Sequence, residues 1–420
     1  MGYLLQKVTI HREGGTTHQD LVLKNGRLLF DTDALAAGSL TPVSGRDLHL
    51  FPGFTDVHVH LREPGFSYKE TIATGTRAAA RGGFSTVLTM PNLKPVPDSL
   101  THLQEQTDLI NRDALIRVLP LGAITTGQQG VELADLKALA PLVAGFSDDG
   151  RGVQAKRMMQ EAMVRSAALN KIIVAHCEDE SLLNGGYIHE GEYAGLHNHK
   201  GISSRSEWAQ VQRDLELVEE TGCRYHVCHV STKESVRLIR DAKARGLDVT
   251  CETAPHYLVL TDMDLQEDGR FKMNPPIRGA EDRDALIEGL IDGTVDMIAT
   301  DHAPHSAQEK ARGLAGSMNG VVGLETAFPV LYTHLVKPGI LTLQRLLDAM
   351  TTRPNVRFDI QIQDDWTLFD LGVQERIDPA GFLSMGKASP FSGMKVSGRC
   401  LLTIANGELA YLHPSIAQKE

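Results

Sequence analysis

Eight short, apolar, β-rich runs alternate with helix-like segments through the middle of this chain, and this alternation limits the folds available to it. The runs cover residues 54–60, 85–90, 116–121, 143–147, 172–176, 225–230, 248–253 and 297–300. Helical patterns lie between them, for example over 68–80, 153–169, 206–220, 233–244 and 282–290. Eight such units within about 250 residues predict an α/β fold, a closed (β/α)8 barrel of the TIM type, whose active site lies at the carboxyl ends of the strands.

An open, doubly wound sheet is the alternative architecture for the same alternation. Such a sheet would be expected to carry a phosphate-binding turn, G-x-G-x-x-G, directly after a strand. The sequence has no such turn after any of the eight runs. The closed barrel is therefore the favoured prediction.

The two ends of the chain differ from its middle. Residues 3–50 and 361–412 contain short strand-like runs separated by turn signals such as Asn25-Gly26 and Asn406-Gly407. Neither end is long enough to form a robust core alone. We expect residues 1–52 and 353–420 to pair into one small β-domain, which flanks a barrel formed by residues 53–352.

Composition excludes several classes of function. The 420 residues carry a formal net charge of −11, which disfavours binding to nucleic acid or to an anionic membrane. No window approaches the length of a membrane-spanning helix, and no cleavage site follows the first ten residues, so a cytoplasmic location is expected. The five cysteines lack C-x-x-C pairs and are expected to be reduced.

The first predicted strand reads D-V-H-V-H-L-R, with His58 and His60 two residues apart. Side chains alternate between the faces of a strand, so both imidazoles and Arg62 are expected on one side. Two imidazoles on a rigid strand form half of a divalent metal site, and an arginine beside them could bind a carboxylate. The H-x-H pair alone is equally compatible with two surface histidines. The residues at the ends of the other strands decide between a metal site and a surface strand.

Metal-ligand residue types recur at the ends of the later strands: Asp148 and Asp149, His176, His229, and finally Asp301, His302 and His305. Imidazole and carboxylate ligands suit zinc, and about six of them can hold two ions. Two such ions lower the pKa of a shared water and polarise a carbonyl. Asp301 is the candidate that takes a proton from this water and delivers it to the leaving nitrogen.

Other polar residues near the strand ends have simpler explanations. His226 is expected to be structural, and His302 should point away from the site because it directly follows Asp301. The histidines at 189, 197 and 199 lie in a glycine-containing loop and are not expected to bind metal. Three residues are equally compatible with a supporting role behind the ligands or with none: Glu178, Glu252 and His256.

The remaining polar groups give hints about a substrate. Arg62, Asn92 and His305 together suit a planar carboxylate on a small molecule. Asn274 lies in a loop stiffened by two prolines. The glycine-rich segment 306–323 is a candidate mobile cover.

These motifs together resemble the amidohydrolase superfamily and, within it, the class I dihydroorotases of bacteria. The resemblance runs from about residue 52 to residue 351 and rests on eight motifs: D-V-H-V-H-L-R-E-P-G, T-M-P-N, S-D-D-G, A-H-C-E-D, H-V-C-H-V-S-T, K-M-N-P-P-I-R, A-T-D-H-A-P-H and V-G-L-E-T-A-F-P. It implies reversible hydrolysis of (S)-dihydroorotate to N-carbamoyl-L-aspartate by a zinc-activated hydroxide, a step of pyrimidine biosynthesis. It also implies a possible homodimer and an association with aspartate transcarbamoylase.

The resemblance implies roles for individual residues. Two zinc ions would be bound by His58 and His60, by His176 and His229, by Asp149 as the bridge and by Asp301, which is also the proton shuttle. The substrate would be bound by His60, Arg62, Asn92, Asn274, His305 and the backbone of Asn319 and Gly320. The family usually has Phe-Gly where this chain has Asn319-Gly320.

Two other functions fit part of the same pattern. Hydantoinases and allantoinases are cyclic ureide hydrolases that place a carbamylated lysine at the bridging position, where this chain has Asp149. A non-catalytic paralogue would be expected to have lost ligands, whereas every expected ligand is present here.

Overall fold

A computed structural model describes residues 2–12, 14–30, 40–43, 47–362 and 364–417. A closed barrel of parallel strands occupies the middle of the chain, and a sheet made from both chain ends lies beside it. The parts of the expected β-domain at 31–39 and 44–46 lie outside the described residues. None of the described helices has the length and apolar character needed to cross a bilayer.

The chain begins with five strands that belong to the flanking sheet. They are β1 (Gly2–Arg12), β2 (Gly15–Lys24), β3 (Arg27–Leu29), β4 (Thr41–Val43) and β5 (Leu48–Pro52). β1 and β2 form an antiparallel pair, and β1 also pairs in parallel with β4 and β5. The last of these strands leads directly into the barrel.

The barrel strands follow: β6 (Phe54–Val59), β7 (Phe84–Thr89), β8 (Arg117–Pro120), β9 (Gly122–Ala123), β10 (Phe146–Ser147), β11 (Ile172–Ala175), β14 (Arg224–Val227), β15 (Val249–Thr253) and β16 (Met297–Ile298). β8 and β9 are two parts of the third barrel strand. The short pair β12 (Ile188–His189) and β13 (Gly201–Ile202) lies in the loop after the fifth barrel strand, β11. The backbone hydrogen bond from His60 N to His302 O joins the end of the first barrel strand to the end of the eighth and closes the barrel. The predicted fold class is therefore confirmed.

Three C-terminal strands complete the flanking sheet. They are β17 (Trp366–Arg376), β18 (Lys395–Ala405) and β19 (Glu408–Leu412). β17 pairs antiparallel with β5 from the other end of the chain. The sheet order is β19-β18-β17-β5-β1-β2-β3, so both ends build one domain, as expected from their short, turn-separated runs.

The helices of the described residues cover the outside of the barrel and its loops: α1 (Ile72–Arg81), α2 (Leu100–Asp113), α3 (Leu136–Leu139), α4 (Lys156–Ala168), α5 (Glu192–His197), α6 (Arg205–Thr221), α7 (Lys233–Ala244), α8 (Pro255–Val259), α9 (Ala280–Asp292), α10 (Ala307–Lys310), α11 (Gly313–Gly316), α12 (Ala327–Leu331), α13 (Leu343–Met350), α14 (Thr352–Arg357) and α15 (Pro414–Ala417). α1 begins four residues later than the helical pattern at 68–80. Thr71 ends the preceding turn, and its hydroxyl accepts a hydrogen bond from Thr74 N as the helix cap.

A cluster of buried phenylalanines fastens the flanking sheet to the barrel. Phe328 lies 4.4 Å from Phe369 and 5.3 Å from Phe54, measured between ring centroids. Phe51, at the end of β5, also packs on Phe328 at 5.4 Å. Because Phe54 begins β6, this packing fixes the N-terminal end of the strand that carries His58.

Candidate metal centre and active site

Six residues expected to bind metal converge at the carboxyl ends of five barrel strands. They are His58, His60, Asp149, His176, His229 and Asp301, and all six are buried. The carboxylate of Asp149 lies at the centre. Its Oδ1 is 3.4 Å from His58 Nε2 and 3.5 Å from His229 Nε2, and its Oδ2 is 3.5 Å from His60 Nε2. Side chains as far apart in sequence as His60 and Asp301, separated by 241 positions, thus face one point.

The donor atoms form two groups that share Asp149. One group adds His58 and His60, the other adds His176 and His229, and the donor atoms within each lie within 4.8 Å of one another. Oδ1 of Asp301 is 3.1 Å from His60 Nε2, next to the first group. One carboxylate between two pairs of imidazoles is an arrangement that suits two adjacent divalent cations.

Two buried atoms at this centre support a fit to cations. Within the described ranges, Nε2 of His58 and Oδ1 of Asp149 have no hydrogen-bond partner. Buried polar atoms are nearly always hydrogen-bonded, because leaving one unpaired costs free energy. A cation bound by these two atoms would replace the missing hydrogen bonds of both. Imidazole nitrogen and carboxylate oxygen are ligands that suit zinc.

Each histidine of the first strand also has a partner on the side away from the cluster. His58 Nδ1 donates to Glu252 Oε1 at 2.7 Å, and His60 Nδ1 donates to Asn92 Oδ1 at 2.9 Å. A neutral imidazole that donates from Nδ1 keeps its lone pair on Nε2. Both rings therefore present Nε2 towards Asp149, where it is available as a ligand atom.

The carboxylates at the centre are anionic at neutral pH. Burial alone would raise the pKa of Asp149, but the nearby imidazoles, first of all that of His58 and then those of His176 and His229, lower it well below its usual range. The pKa of Asp301 is also lowered against the effect of burial, chiefly by His58. Two anionic carboxylates among four imidazoles are suited to bind positive charge.

The backbone leaves the extended conformation at three points around the site. Arg62, His229 and Asp301 have left-handed φ angles of 63°, 34° and 48°. The expectation that Arg62 continues the face of an extended strand is wrong, because β6 ends at Val59. The turn at Arg62, rather than strand alternation, brings its guanidinium to the site.

Arg62 and His305 form a cationic corner beside the six residues. Arg62 Nε donates to Pro304 O at 3.2 Å, and its Nη2 lies 3.3 Å from His305 Nε2. Burial lowers the pKa of Arg62 to about 10, which leaves the guanidinium charged at neutral pH. With Oδ1 of Asn92 occupied by His60, the amide nitrogen of Asn92 remains as a donor. These groups can bind a carboxylate.

Asn274 contributes an acceptor at the mouth of the barrel. Its Nδ2 donates to Glu178 Oε2 at 3.0 Å, and its buried Oδ1 has no partner in the part of the chain that the structure describes. The same Glu178 oxygen is 3.6 Å from His176 Nε2. Glu178 therefore orients Asn274 so that its carbonyl oxygen is free for an N–H group of a ligand.

The loop with Asn319 and Gly320 is held by the protein itself. Asn319 O accepts from His305 Nε2 at 2.8 Å, and Gly320 N donates to Lys272 O at 3.0 Å. The N–H of Gly320 is thus already occupied. A Cβ at Gly320 would lie 2.6 Å from Ala303 O, and its φ is +131°, so only glycine fits there. The mobility of segment 306–323 stays a prediction.

Residues that were left out of the predicted ligand set do lie outside the cluster. Asp148 Oδ1 accepts hydrogen bonds from the backbone of Ile124 and Thr125. His302 points towards Glu70, with Nε2 3.4 Å from its Oε2. His226 differs, because its Nε2 donates to Glu252 Oε2 at 3.0 Å and so supports the partner of His58.

Two buried lysines near the mouth are not identifiable from the sequence pattern. Lys69 lies between His305 and Glu309. Lys310 donates to three carbonyl oxygens, at 2.9, 2.8 and 2.7 Å: those of Lys272, Met318 and Gly320. Lysine is rarely buried unless it is paired. The only available signal is their position, just after the R-E-P-G and D-H-A-P-H motifs.

Solved structures agree with this architecture. The L-hydantoinase (dihydropyrimidinase) from Arthrobacter aurescens aligns with a TM-score of 0.82 and 26% identity over 97% of this chain and 95% of that one. The dihydropyrimidinase from Brevibacillus agri NCHU1002 aligns with a TM-score of 0.80 at 21% identity, over 97% and 95%, and supports the fold alone. The fold and site define a barrel of the amidohydrolase superfamily with a flanking β-domain.

Sequence comparison identifies the family within this superfamily. A family model described as Dihydro-orotase-like matches residues 48–235. The dihydroorotase of Bacillus cereus (strain AH820) is 48% identical over 421 residues, 98% of each chain. That of Shouchella clausii (strain KSM-K16) is 50% identical over 412 residues, 96% of each chain. The chain belongs to the dihydroorotase family.

Proposed function

We propose that this chain catalyses the reversible hydrolysis of (S)-dihydroorotate to N-carbamoyl-L-aspartate, the dihydroorotase step of pyrimidine biosynthesis. The observation that carries the proposal is the placement of Asp149 among four imidazoles, with Asp301 and the cationic corner of Arg62 and His305 beside it. The dihydroorotase relatives, which match almost the entire chain, support the same reaction.

The proposed cofactor is a pair of zinc ions. The residues that would hold it are His58 and His60, His176 and His229, Asp149 between them, and Asp301. Bound there, two cations would lower the pKa of a water and polarise the ring carbonyl. The donor set of imidazoles and carboxylates, without thiolates, supports zinc in a catalytic rather than a structural site.

The protein side chains supply the orientation and the proton transfer. Arg62 and the amide nitrogen of Asn92 bind the substrate carboxylate, and Oδ1 of Asn274 accepts from a ring N–H. Asp301, an anion beside His60, takes a proton from the attacking water as the oxygen bonds to the ring carbonyl carbon. It then delivers that proton to the ring nitrogen as the carbon–nitrogen bond breaks.

The rival activity is that of a hydantoinase or allantoinase, and the substrate assay separates the two. The purified protein, supplied with zinc, is assayed on dihydroorotate, dihydrouracil, allantoin and 5-substituted hydantoins. We expect dihydroorotate to be strongly preferred, because only its carboxylate uses the charge of Arg62. Turnover of hydantoins without turnover of dihydroorotate would overturn the proposal, and no turnover at all would favour a non-catalytic paralogue.

Further proposals rest on the resemblance and on Asp149. An aspartate at the bridging position supports class I. A homodimer and an association with aspartate transcarbamoylase are proposed for the same class, and light scattering of the protein alone and with that enzyme tests both. A cytoplasmic location and the domain boundaries at 52/53 and 352/353 are also proposed, and fractionation and limited proteolysis test these.

A further inference from the structure

Lys69 is buried against the histidine of the cationic corner. Its Nζ lies 3.2 Å from His305 Nδ1 and 3.0 Å from Glu309 Oε1. Nζ also lies over the rings of Phe66 and Tyr68, 5.4 and 5.5 Å from their centroids. A lysine ammonium can only donate, so Nδ1 of His305 must accept from it.

This contact decides where His305 carries its proton. An imidazole that accepts at Nδ1 bears its proton on Nε2, and Nε2 donates to Asn319 O at 2.8 Å. Nε2 is also 3.3 Å from Arg62 Nη2, which is a donor as well. Two donors cannot bond to each other, so a carboxylate oxygen that enters between them can accept from Arg62 and take over the Nε2–H bond from Asn319 O.

Glu309 competes with Lys69 for the same ring nitrogen. Its Oε2 lies 3.4 Å from His305 Nδ1, and a carboxylate there favours a proton on Nδ1. Hydrogen bonds to Ser306 and to Lys69 lower the pKa of Glu309 to about 2 in spite of its burial, so it is anionic. Without Lys69, His305 would donate to Glu309 and turn a lone pair towards the carboxylate position.

The other charges around His305 act in the same direction as Lys69. Burial, followed by the charges of Arg62, Lys69 and Lys310, lowers the pKa of His305 to about 3, and Glu309 is the group that opposes this. The imidazole is therefore neutral throughout the physiological pH range.

We propose that Lys69 is a positioning residue for substrate specificity: it holds neutral His305 in the Nε2–H form that binds the substrate carboxylate beside Arg62. The inference rests on the proposed dihydroorotase function. It names the residue that sets the proton position of His305 and thereby the preference for a substrate with a carboxylate. Lys69 acts through His305 and does not itself touch the reacting atoms.

The test compares Lys69→Met, which keeps an unbranched apolar chain but removes the charge, with Lys69→Arg, which keeps the charge. At about pH 8, Lys69→Met should raise KM for dihydroorotate about tenfold and change kcat less than about threefold, because one donor to the carboxylate is lost. Lys69→Arg should stay within about threefold of the unchanged protein.

A double variant and a spectroscopic measurement complete the test. Lys69→Met combined with Glu309→Gln replaces the competing carboxylate with a neutral amide whose NH2 can donate to Nδ1, and it should reverse part of the increase in KM at about pH 8. ¹⁵N spectra of histidine-labelled protein should place the His305 proton on Nε2, and on Nδ1 in Lys69→Met. An unchanged KM in Lys69→Met, or a His305 proton that stays on Nε2 in that variant, would overturn the proposal. Because the spectra need no turnover, an enzyme inactive on dihydroorotate would reject the function while the proton position is still decided.

Discussion

Oε1 of Glu252 lies 2.7 Å from Nδ1 of His58, and both side chains are completely buried beneath the proposed metal centre. Burial alone would raise the pKa of Glu252, but His58 and His226 lower it, so the carboxylate is anionic. Nδ1 of His226 in turn lies 2.8 Å from Oγ1 of Thr250. A continuous hydrogen-bonded chain inside the barrel thus fixes the orientation of one ligand.

Glu252→Gln should weaken metal binding. An amide can accept from only one of the two histidines, so either His58 or His226 loses its acceptor. Loss of the carboxylate behind a ligating histidine is expected to lower metal affinity about 10- to 100-fold. Competition for zinc against a chromophoric chelator measures this directly.

Asp365→Asn is the matched control for this variant. Asp365 is also buried, but it pairs with Arg117 at 3.0 Å at the opposite end of the barrel. Its substitution should lower stability and leave zinc affinity unchanged. Equal losses of affinity in the two variants would show that Glu252 acts only through folding.

Asp301→Asn should retain metal and lose turnover. Five ligands remain, and an amide oxygen can still coordinate, but an amide cannot take a proton from water and return it to nitrogen. We expect kcat to fall about 10²- to 10⁴-fold. Metal content and kcat are measured on the same preparation, and near-normal kcat would exclude the proton-shuttle role.

Arg62→Gln should mainly impair substrate binding. Losing a charged, buried hydrogen-bonding partner of the carboxylate removes about 1.5–3 kcal/mol, which is about 10- to 100-fold in KM. Dihydrouracil, the same ring without the carboxylate, should bind equally well to both proteins in an inhibition assay. A uniform loss of kcat with KM unchanged would contradict the assignment of Arg62 to the carboxylate.

Lys310 provides a prediction for pH and stability. Burial and the neighbouring Lys272 lower its pKa from 10.5 to about 7 in the folded protein. Between these values the unfolded chain binds more protons than the folded one, so the contribution of Lys310 to stability rises with pH. The difference in the free energy of unfolding between the protein and Lys310→Met should grow by about 1 kcal/mol per pH unit from about pH 7 to pH 9. A difference in the free energy of unfolding that falls between pH 7 and pH 9 would contradict this prediction.

Much of the fold was predictable because its signals are local. Each barrel strand is a short apolar run between helical patterns, and the ligands follow at the strand ends. His58 and His60 face the same point, as the H-x-H spacing predicted, although His60 lies one residue beyond the end of β6. His302 points away from Asp301, as predicted, with a left-handed turn at Asp301 between them. These features depend on residues close together in sequence.

The supporting contacts were not predictable because they join distant residues through turns. Arg62 reaches the site through a left-handed backbone conformation, which the strand pattern does not encode. Lys69 meets His305 across 236 positions, and Glu252 meets His58 across 194. His226 was expected to be structural, but its bond to Glu252 was not predicted, since it depends on the register between β14 and β15.

The metal content of the purified protein tests the central claim most directly. After dialysis against dilute zinc and removal of free metal, elemental analysis should find about two zinc ions per chain, because Asp149 lies between two pairs of imidazoles. Asp149→Asn should reduce this number. A content well below one ion per chain in the unchanged protein would contradict the account.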